Sequence, residues 1–199
     1  MWDDNKKNWS KLMLAIYNGQ TNIYRKLLAT DADVNKKYGS MKLTALEVAI
    51  YKDDEEAVKV LLNSNKIKKP NNFFMTACGQ KSVKNVELLI KYGARVNDTL
   101  DNGYSMLMYA ASFGSYEILD CLLKNGAKVN QTRKTDGMTP LMFAAFEGEP
   151  KKVALLLKYG ANKRIKDLDG KLALNYVDNI YEHHKISNMT KDEIRNLLK

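Results

Sequence analysis

Residues 136–148 read Asp136-Gly137-Met138-Thr139-Pro140-Leu141-Met142-Phe143-Ala144-Ala145-Phe146-Glu147-Gly148. This short stretch carries a turn, a helix start and a helix stop. Asp136-Gly137 is turn chemistry, because glycine supplies the positive φ that a tight reversal demands. Thr139 is placed to cap a helix, with its hydroxyl able to accept from backbone N–H groups that have no partner in the first turn. Pro140 suits that first turn. Ala144 is small enough to let a neighbouring helix approach. Gly148 ends the helix.

The same pattern recurs on both sides. Leu12-Met13-Leu14-Ala15-Ile16, Leu46-Glu47-Val48-Ala49-Ile50 and Leu107-Met108-Tyr109-Ala110-Ala111 match Leu141-Met142-Phe143-Ala144-Ala145. A second signature follows each: Ala32-Asp33-Val34-Asn35, Gly93-Ala94-Arg95-Val96-Asn97, Gly126-Ala127-Lys128-Val129-Asn130 and Gly160-Ala161-Asn162. Aligned on these, helix starts fall at Ser10, Thr44, Asn72, Ser105, Thr139 and Leu172, in steps of 34, 28, 33, 34 and 33 residues. Between the paired signatures lie aliphatic rows at helical spacing, such as Ile118-Leu119 with Leu122-Leu123. A fixed period near 33 residues means stacked units, each burying an apolar face that it cannot bury alone.

The fifth unit resembles the ankyrin repeat, and six units in near-constant register extend that resemblance over about residues 9–180. It implies an all-α fold, an ankyrin-repeat solenoid of helix-turn-helix units with short β-hairpin fingers. One domain, 1–199, is expected, with units near 9–36, 37–69, 70–98, 99–131 and 132–165 and a closing unit 166–199. Left-handed residues are expected at the helix ends: Gly19, Gly114 and Gly148 at the first, Gly93, Gly126 and Gly160 at the second. Asp53, Asp31 and Asn65 stand in elsewhere, and Lys81 is the poor fit. Against the family pattern, its usual histidine is Met13, Met75, Met108 and Met142 here, and Glu47 and Asn175 in the other units. Apolar packing is expected to replace that histidine's hydrogen bonds. Residues 65–71 are too short for a full finger. Trp2 and Trp9 are expected to cover the first unit, and a capping box at Thr190-Lys191-Asp192-Glu193 to start a last helix with Ile194, Leu197 and Leu198 on one face.

Composition excludes several classes. A chain 45% apolar and 28% charged folds rather than staying disordered. Its apolar runs are too short for a transmembrane helix. Met1-Trp2-Asp3-Asp4-Asn5-Lys6-Lys7 has no apolar core, so it does not read as a secretory signal. The expected compartment is the cytoplasm, or an exported location reached after removal of a signal. Cys78 and Cys121 read as buried thiols, not as a disulfide framework. The net charge of +9 is spread out, with 17 basic and 11 acidic groups in residues 1–100 and 15 and 12 in 101–199. No phosphate loop, nucleophile elbow or metalloprotease motif is present. His183 and His184 are adjacent, which suits a polar loop better than a shared metal. Four Asn-x-Ser/Thr sequons begin at Asn8, Asn97, Asn130 and Asn188. Asn97 and Asn130 read instead as finger side chains bonding backbone. No catalytic residue, metal or cofactor is expected.

In proteins this chain resembles, partners are held by the concave side, made of finger tips and the exposed edge of the first helices. Those positions hold Trp9, Tyr17, Tyr38, Tyr51, Tyr104, Phe113, Arg133, Met138 and Phe146, with Lys52, Ser112 and Glu147 beside them. Aromatics and arginine dominate binding hot spots because they bury much area at modest entropic cost. A solvent-facing set of this kind predicts a non-catalytic interaction module, monomeric, binding a protein or peptide there. The alternative is an electrostatic binder of nucleic acid or an anionic membrane surface through Lys59, Lys91, Lys124, Lys151, Lys152 and Lys158, read as a solvated outer face. Nucleic acid is the less expected partner, because these lysines do not alternate with aromatics.

Overall fold

The computed structural model describes residues 8–30, 32–68, 73–100, 102–178 and 187–199. They form two compact units, Met1–Ala94 and Arg95–Lys199. In the first, α1 (Lys11–Tyr17), α3 (Ala45–Tyr51) and α5 (Phe74–Gly79) pack in series, and α2 (Thr21–Leu28), α4 (Glu55–Asn63) and α6 (Val83–Lys91) lie behind them. In the second, α7 (Met106–Phe113), α9 (Pro140–Phe146) and α11 (Ala173–Tyr176) form the front row. Their backing is α8 (Tyr116–Lys124), α10 (Pro150–Lys158) and α12 (Asn188–Leu198). Between the rows sits an aliphatic core, with Ile16, Leu46, Ile50 and Leu61 in the first unit and Leu107, Ile118, Leu122, Leu141 and Leu156 in the second.

The helix starts are local chemistry. Ser10, Thr44, Ser105 and Thr139 each accept, through the side-chain hydroxyl, from the backbone N–H three residues on, at 3.2–3.3 Å. The reciprocal bond of a capping box is also present in three of them. Glu47 Oε2 accepts from Thr44 N at 2.7 Å. Met108 Sδ accepts from Ser105 N at 3.4 Å, and Met142 Sδ from Thr139 N at 3.3 Å. The expectation that methionine trades the hydrogen bond for packing alone is therefore corrected: a thioether lone pair can accept weakly. Met75 is 37% exposed. Its helix starts from Phe73, without a side-chain cap. The expected start at Asn72 lies outside the described residues, as do Pro70, Trp2, Asp31, His183 and His184.

The fingers are turns closed by single rungs rather than hairpins. Isolated antiparallel bridges join Tyr38 to Leu43 and Thr99 to Ser105. Arg133 N donates to Met138 O at 2.9 Å, and Asp167 N to Lys171 O at 3.0 Å. Leu168 N reaches Asp136 O of the preceding finger at 2.9 Å. A Cβ on Gly137 would stand 2.9 Å from Leu168 N, so the close stacking of these two fingers depends on glycine there.

Below the fingers runs an asparagine ladder. Asn130 Nδ2 donates to Gly160 O at 3.1 Å, and Asn130 Oδ1 accepts from Asn162 N at 2.7 Å. Asn97 does the same with Gly126 O and Lys128 N, at 3.0 and 2.8 Å. Asn35 bonds Lys66 O and Lys68 N, at 2.7 and 3.0 Å. Each side chain replaces both halves of a backbone pairing with the unit that follows.

Asp53, Asn65 and Lys81 take positive φ as read from sequence, and Lys42 does so unannounced. Gly114 differs from expectation. Its φ is −76°. A Cβ there would sit 2.9 Å from Ala110 Cα, so this glycine serves close approach and not left-handed geometry. The last helix begins at Asn188, with Ser187 Oγ accepting from Thr190 N at 3.2 Å, rather than at Thr190. Ile194 and Leu198 are buried by it. Lys152 is not on a solvated face. It is 5% exposed, and Nζ donates to Ala111 O at 3.2 Å, completing a carbonyl near the α7 C-terminus.

Candidate functional site

The aromatic residues expected to bind fall into both units, and each set is described by itself. In the first, Lys52 places its ammonium 4.7 Å from the Tyr17 ring centroid. Tyr17, Val48, Tyr51 and Lys52 line a cavity of about 230 Å³. Trp9 meets Tyr17 edge-on at 5.6 Å, yet it is only 7% exposed, so it belongs to the core and not to a solvent-facing surface. Tyr38 stands apart in its finger, under Lys36.

In the second unit the repeat brings more together. Tyr104, Ser112, Phe113, Arg133, Met138, Phe143, Phe146, Glu147 and Tyr176 line one cavity of about 460 Å³. α7 supplies Ser112 and Phe113, α9 supplies Phe143 and Phe146, and the fingers supply Tyr104, Arg133 and Met138. The Arg133 guanidinium lies over Tyr104 at 4.3 Å and over Phe143 at 4.9 Å, the two rings being 5.1 Å apart. Asp136 holds it in place: Arg133 Nε donates to Asp136 Oδ1 at 2.9 Å, and Arg133 Nη2 to the other oxygen. That pairing, foremost its hydrogen bonds, keeps the Asp136 carboxyl below the usual carboxylate range. Phe113 is 53% exposed and packs at a tilt against Tyr109, with ring centroids 5.0 Å apart. Phe146 meets Tyr176 edge-on at 6.2 Å. Met138 is 8% exposed, so it forms the floor of the cavity and not its rim.

Tyr176 donates its hydroxyl to Asp167. Burial, then this bond and the Asp167 charge, push the phenol well above its ordinary value. Burial pushes the Asp167 carboxyl up, but bonds from Tyr176, Lys171 N and Asp169 N outweigh it and leave it below the usual range. Sequence reasoning missed Phe143 and Tyr176. The signal was there: four residues after the helix start, the last three units carry Tyr109, Phe143 and Tyr176 in turn.

On the outer helices the lysines are largely engaged. Lys59 pairs with Glu55 and Lys124 with Asp120, each across one helical turn at 2.5 and 2.6 Å. Cys78 and Cys121 are buried free thiols. Among the described residues no three of His, Cys, Asp or Glu converge as a metal would require. No described helix is long and apolar enough to cross a membrane.

Comparison with known proteins agrees with the repeat geometry. The family described as "Ankyrin repeats (3 copies)" matches residues 2–73 and again 74–167. The ankyrin repeat protein FPV031 of fowlpox virus is 33% identical over 102 residues, 50% of this chain and 30% of its own length. The ankyrin repeat protein L371 of Acanthamoeba polyphaga mimivirus is 32% identical over 107 residues, 54% of this chain and 14% of its own. The phosphocholine transferase AnkX of Legionella pneumophila is 40% identical over 68 residues, 34% of this chain and 7% of its own. The chain thus spans under a third of each, and the likeness to the enzyme is confined to its repeats. Ankyrin repeats are generally non-enzymatic modules of protein–protein interaction. With its helix pairs, finger turns and asparagine rungs in register, and with both matches spanning most of its length, the chain belongs to the ankyrin-repeat family.

Proposed function

We propose that this protein is a monomeric, single-domain, non-catalytic interaction module that holds a protein or peptide partner on its aromatic face. The carrying observation is the second unit's cavity. Five rings and a guanidinium line it, and Phe113 is left more than half exposed. Rings clustered around a concavity with one of them open to solvent, rather than scattered singly, are the form that a contact surface takes. Tyr51 and Tyr17 around Lys52 offer a second, smaller set in the first unit. The lysine-rich outer helices support the electrostatic reading less, because Lys59 and Lys124 are paired with carboxylates and Lys152 is buried.

The test replaces Phe113 and Phe146 with serine and compares capture from native lysate with the parent chain. Hot-spot truncations cost about 2 kcal/mol or more each, so bound proteins should be lost while the melting curve holds. Captured partners should stay bound as salt is raised, since a charge-driven complex would weaken steeply. Unchanged capture by the serine variant, or its unfolding, would remove the aromatic face from the account.

A further inference from the structure

We infer that the last two fingers of the second unit form a basic ledge, built from Lys128, Lys134, Lys163, Arg164 and Lys166, that takes a run of aspartate or glutamate in a protein partner. The inference goes beyond the aromatic face and does not depend on it, since none of the five lines that cavity. The segments 128–134 and 163–166 run side by side. Asn130 ties them near one end, through Gly160 O at 3.1 Å and Asn162 N at 2.7 Å. Leu168 N ties them just past the other, through Asp136 O at 2.9 Å. Asn162 Oδ1 also accepts from Arg164 N at 2.9 Å, which fixes the backbone from which the Arg164 side chain leaves. Lys128, Lys134, Arg164 and Lys166 are exposed, and Lys163 is half-exposed. An open concavity of about 440 Å³, lined by Lys128, Val129, Asn130 and Gln131, lies at one edge.

What marks the ledge is charge without a counter-charge. Elsewhere in this unit cations meet carboxylates: Lys124 pairs with Asp120, Arg133 with Asp136, Lys171 with Asp169, and Arg195 with Asp178 and Asp192. The side chains of the five ledge residues make no ion pair and no hydrogen bond. Residues 126–135 and 160–166 contain no aspartate or glutamate at all. The acids that follow, Asp136 and Asp167, are held by Arg133 and Tyr176. An incoming carboxylate therefore meets cations that no acid of the chain already occupies. Arg164 adds a planar fork that matches a carboxylate with two parallel bonds. The +9 of the chain at large draws an acidic segment in from a distance. Peptide is favoured over nucleic acid because these stretches hold no aromatic ring on which a base could stack.

The experiment is fluorescence anisotropy of a labelled hexaglutamate peptide titrated with the full chain at low salt. Hexaglutamine and hexathymidylate, an oligonucleotide of nearly the same charge as hexaglutamate, are separate arms. Saturable binding of hexaglutamate is expected, weakening as salt is raised, with none of hexaglutamine. Lys163→Gln, Arg164→Gln and Lys166→Gln together should weaken it about tenfold, the scale of three exposed ion pairs. Lys11→Gln, Lys26→Gln and Lys37→Gln remove the same charge from exposed positions of the first unit and should change it less than about twofold. If the ledge variant does not fold, Lys128→Gln with Lys134→Gln takes its place and should also weaken binding. Equal weakening by the ledge variant and the first-unit variant would assign the binding to net charge and overturn the ledge. Hexathymidylate binding as tightly as hexaglutamate, or silence from hexaglutamate, would overturn the acidic-peptide assignment. Failure of the aromatic-face reading shows separately, as undiminished capture by the Phe113/Phe146 serine variant.

Discussion

Three glycines of the second unit separate two reasons for having no side chain, and alanine at each should give three different costs. Gly126 has φ +80° with nothing within 4 Å of a new Cβ. Alanine there suffers only the left-handed conformation, about 1–2 kcal/mol. A stiffer unfolded chain offsets about 0.4–1 kcal/mol of that, so the net loss is roughly 0.5–1 kcal/mol. Gly114 has an ordinary φ, but its Cβ would lie 2.9 Å from Ala110 Cα and 3.0 Å from Ala110 O. Its cost is purely that of overpacking, about 1–3 kcal/mol less the same offset. Gly137 combines both, with φ +78° and Leu168 N at 2.9 Å. It also endangers the bond from Leu168 N to Asp136 O, worth about 0.5–1.5 kcal/mol. Its total should reach about 2–4 kcal/mol. Urea midpoints at unchanged slope measure the differences. Hydrogen exchange should show the Leu168 amide losing protection in Gly137→Ala and keeping it in Gly126→Ala. If Gly126→Ala costs as much as Gly137→Ala, the fingers are not held by close backbone approach, and the reasoning fails.

Other perturbations read different parts of the structure. Asn130→Ala removes two bonds to the next unit and should cost about 1–2 kcal/mol by urea denaturation; a neutral result would mean the ladder carries no stability. Tyr24 is fully buried with its hydroxyl unpartnered. Tyr24→Phe should therefore raise the melting temperature or leave it unchanged, and a fall would reveal a partner for that hydroxyl. Lys152→Ala should cost about 2 kcal/mol, whereas Lys151→Ala on the exposed side stays within about 0.5 kcal/mol; equal losses would contradict the burial of Lys152. Because the Asp167 carboxyl is held below its unfolded value of about 3.9, its contribution is complete above that pH and disappears as pH falls through the lower folded value. Asp167→Asn should thus be less stable at neutral pH and lose less between about pH 4 and 2; acid profiles parallel to the parent's would refute the assignment.

What sequence made legible was what local chemistry decides. Ser10, Thr44, Ser105 and Thr139 cap helices because a hydroxyl beside the first turn has few other things to do, and the finger asparagines bond backbone for the same reason. What stayed hidden needed the neighbour's position. Lys152 follows Lys151 and looks like a second solvated lysine. Counted from its helix start, it occupies the place of buried Ile118, Asn85 and Ala57, and the repeat register would have flagged it. Gly114 keeps the register of Gly148 but not its conformation, and what bars a side chain there is the nearness of Ala110, which the repeat pattern does not show. In the candidate site, the rings of the finger and helix edge were readable as types. Burial of Met138 was not, since it depends on what lies over it, and Trp9 had been given two places, covering the first unit and facing a partner, of which burial leaves the first.

The asparagine ladder has a polarity. Asn35, Asn97 and Asn130 each reach forward to a carbonyl and an amide about 30 residues further along the chain, and none of these bonds runs backward. A ribosome delivers the chain in that same sense at roughly 5–20 residues per second, so at these three rungs the asparagine is made before the carbonyl and amide that it bonds. The partner atoms of each of these rungs are therefore synthesised on the order of seconds after its asparagine.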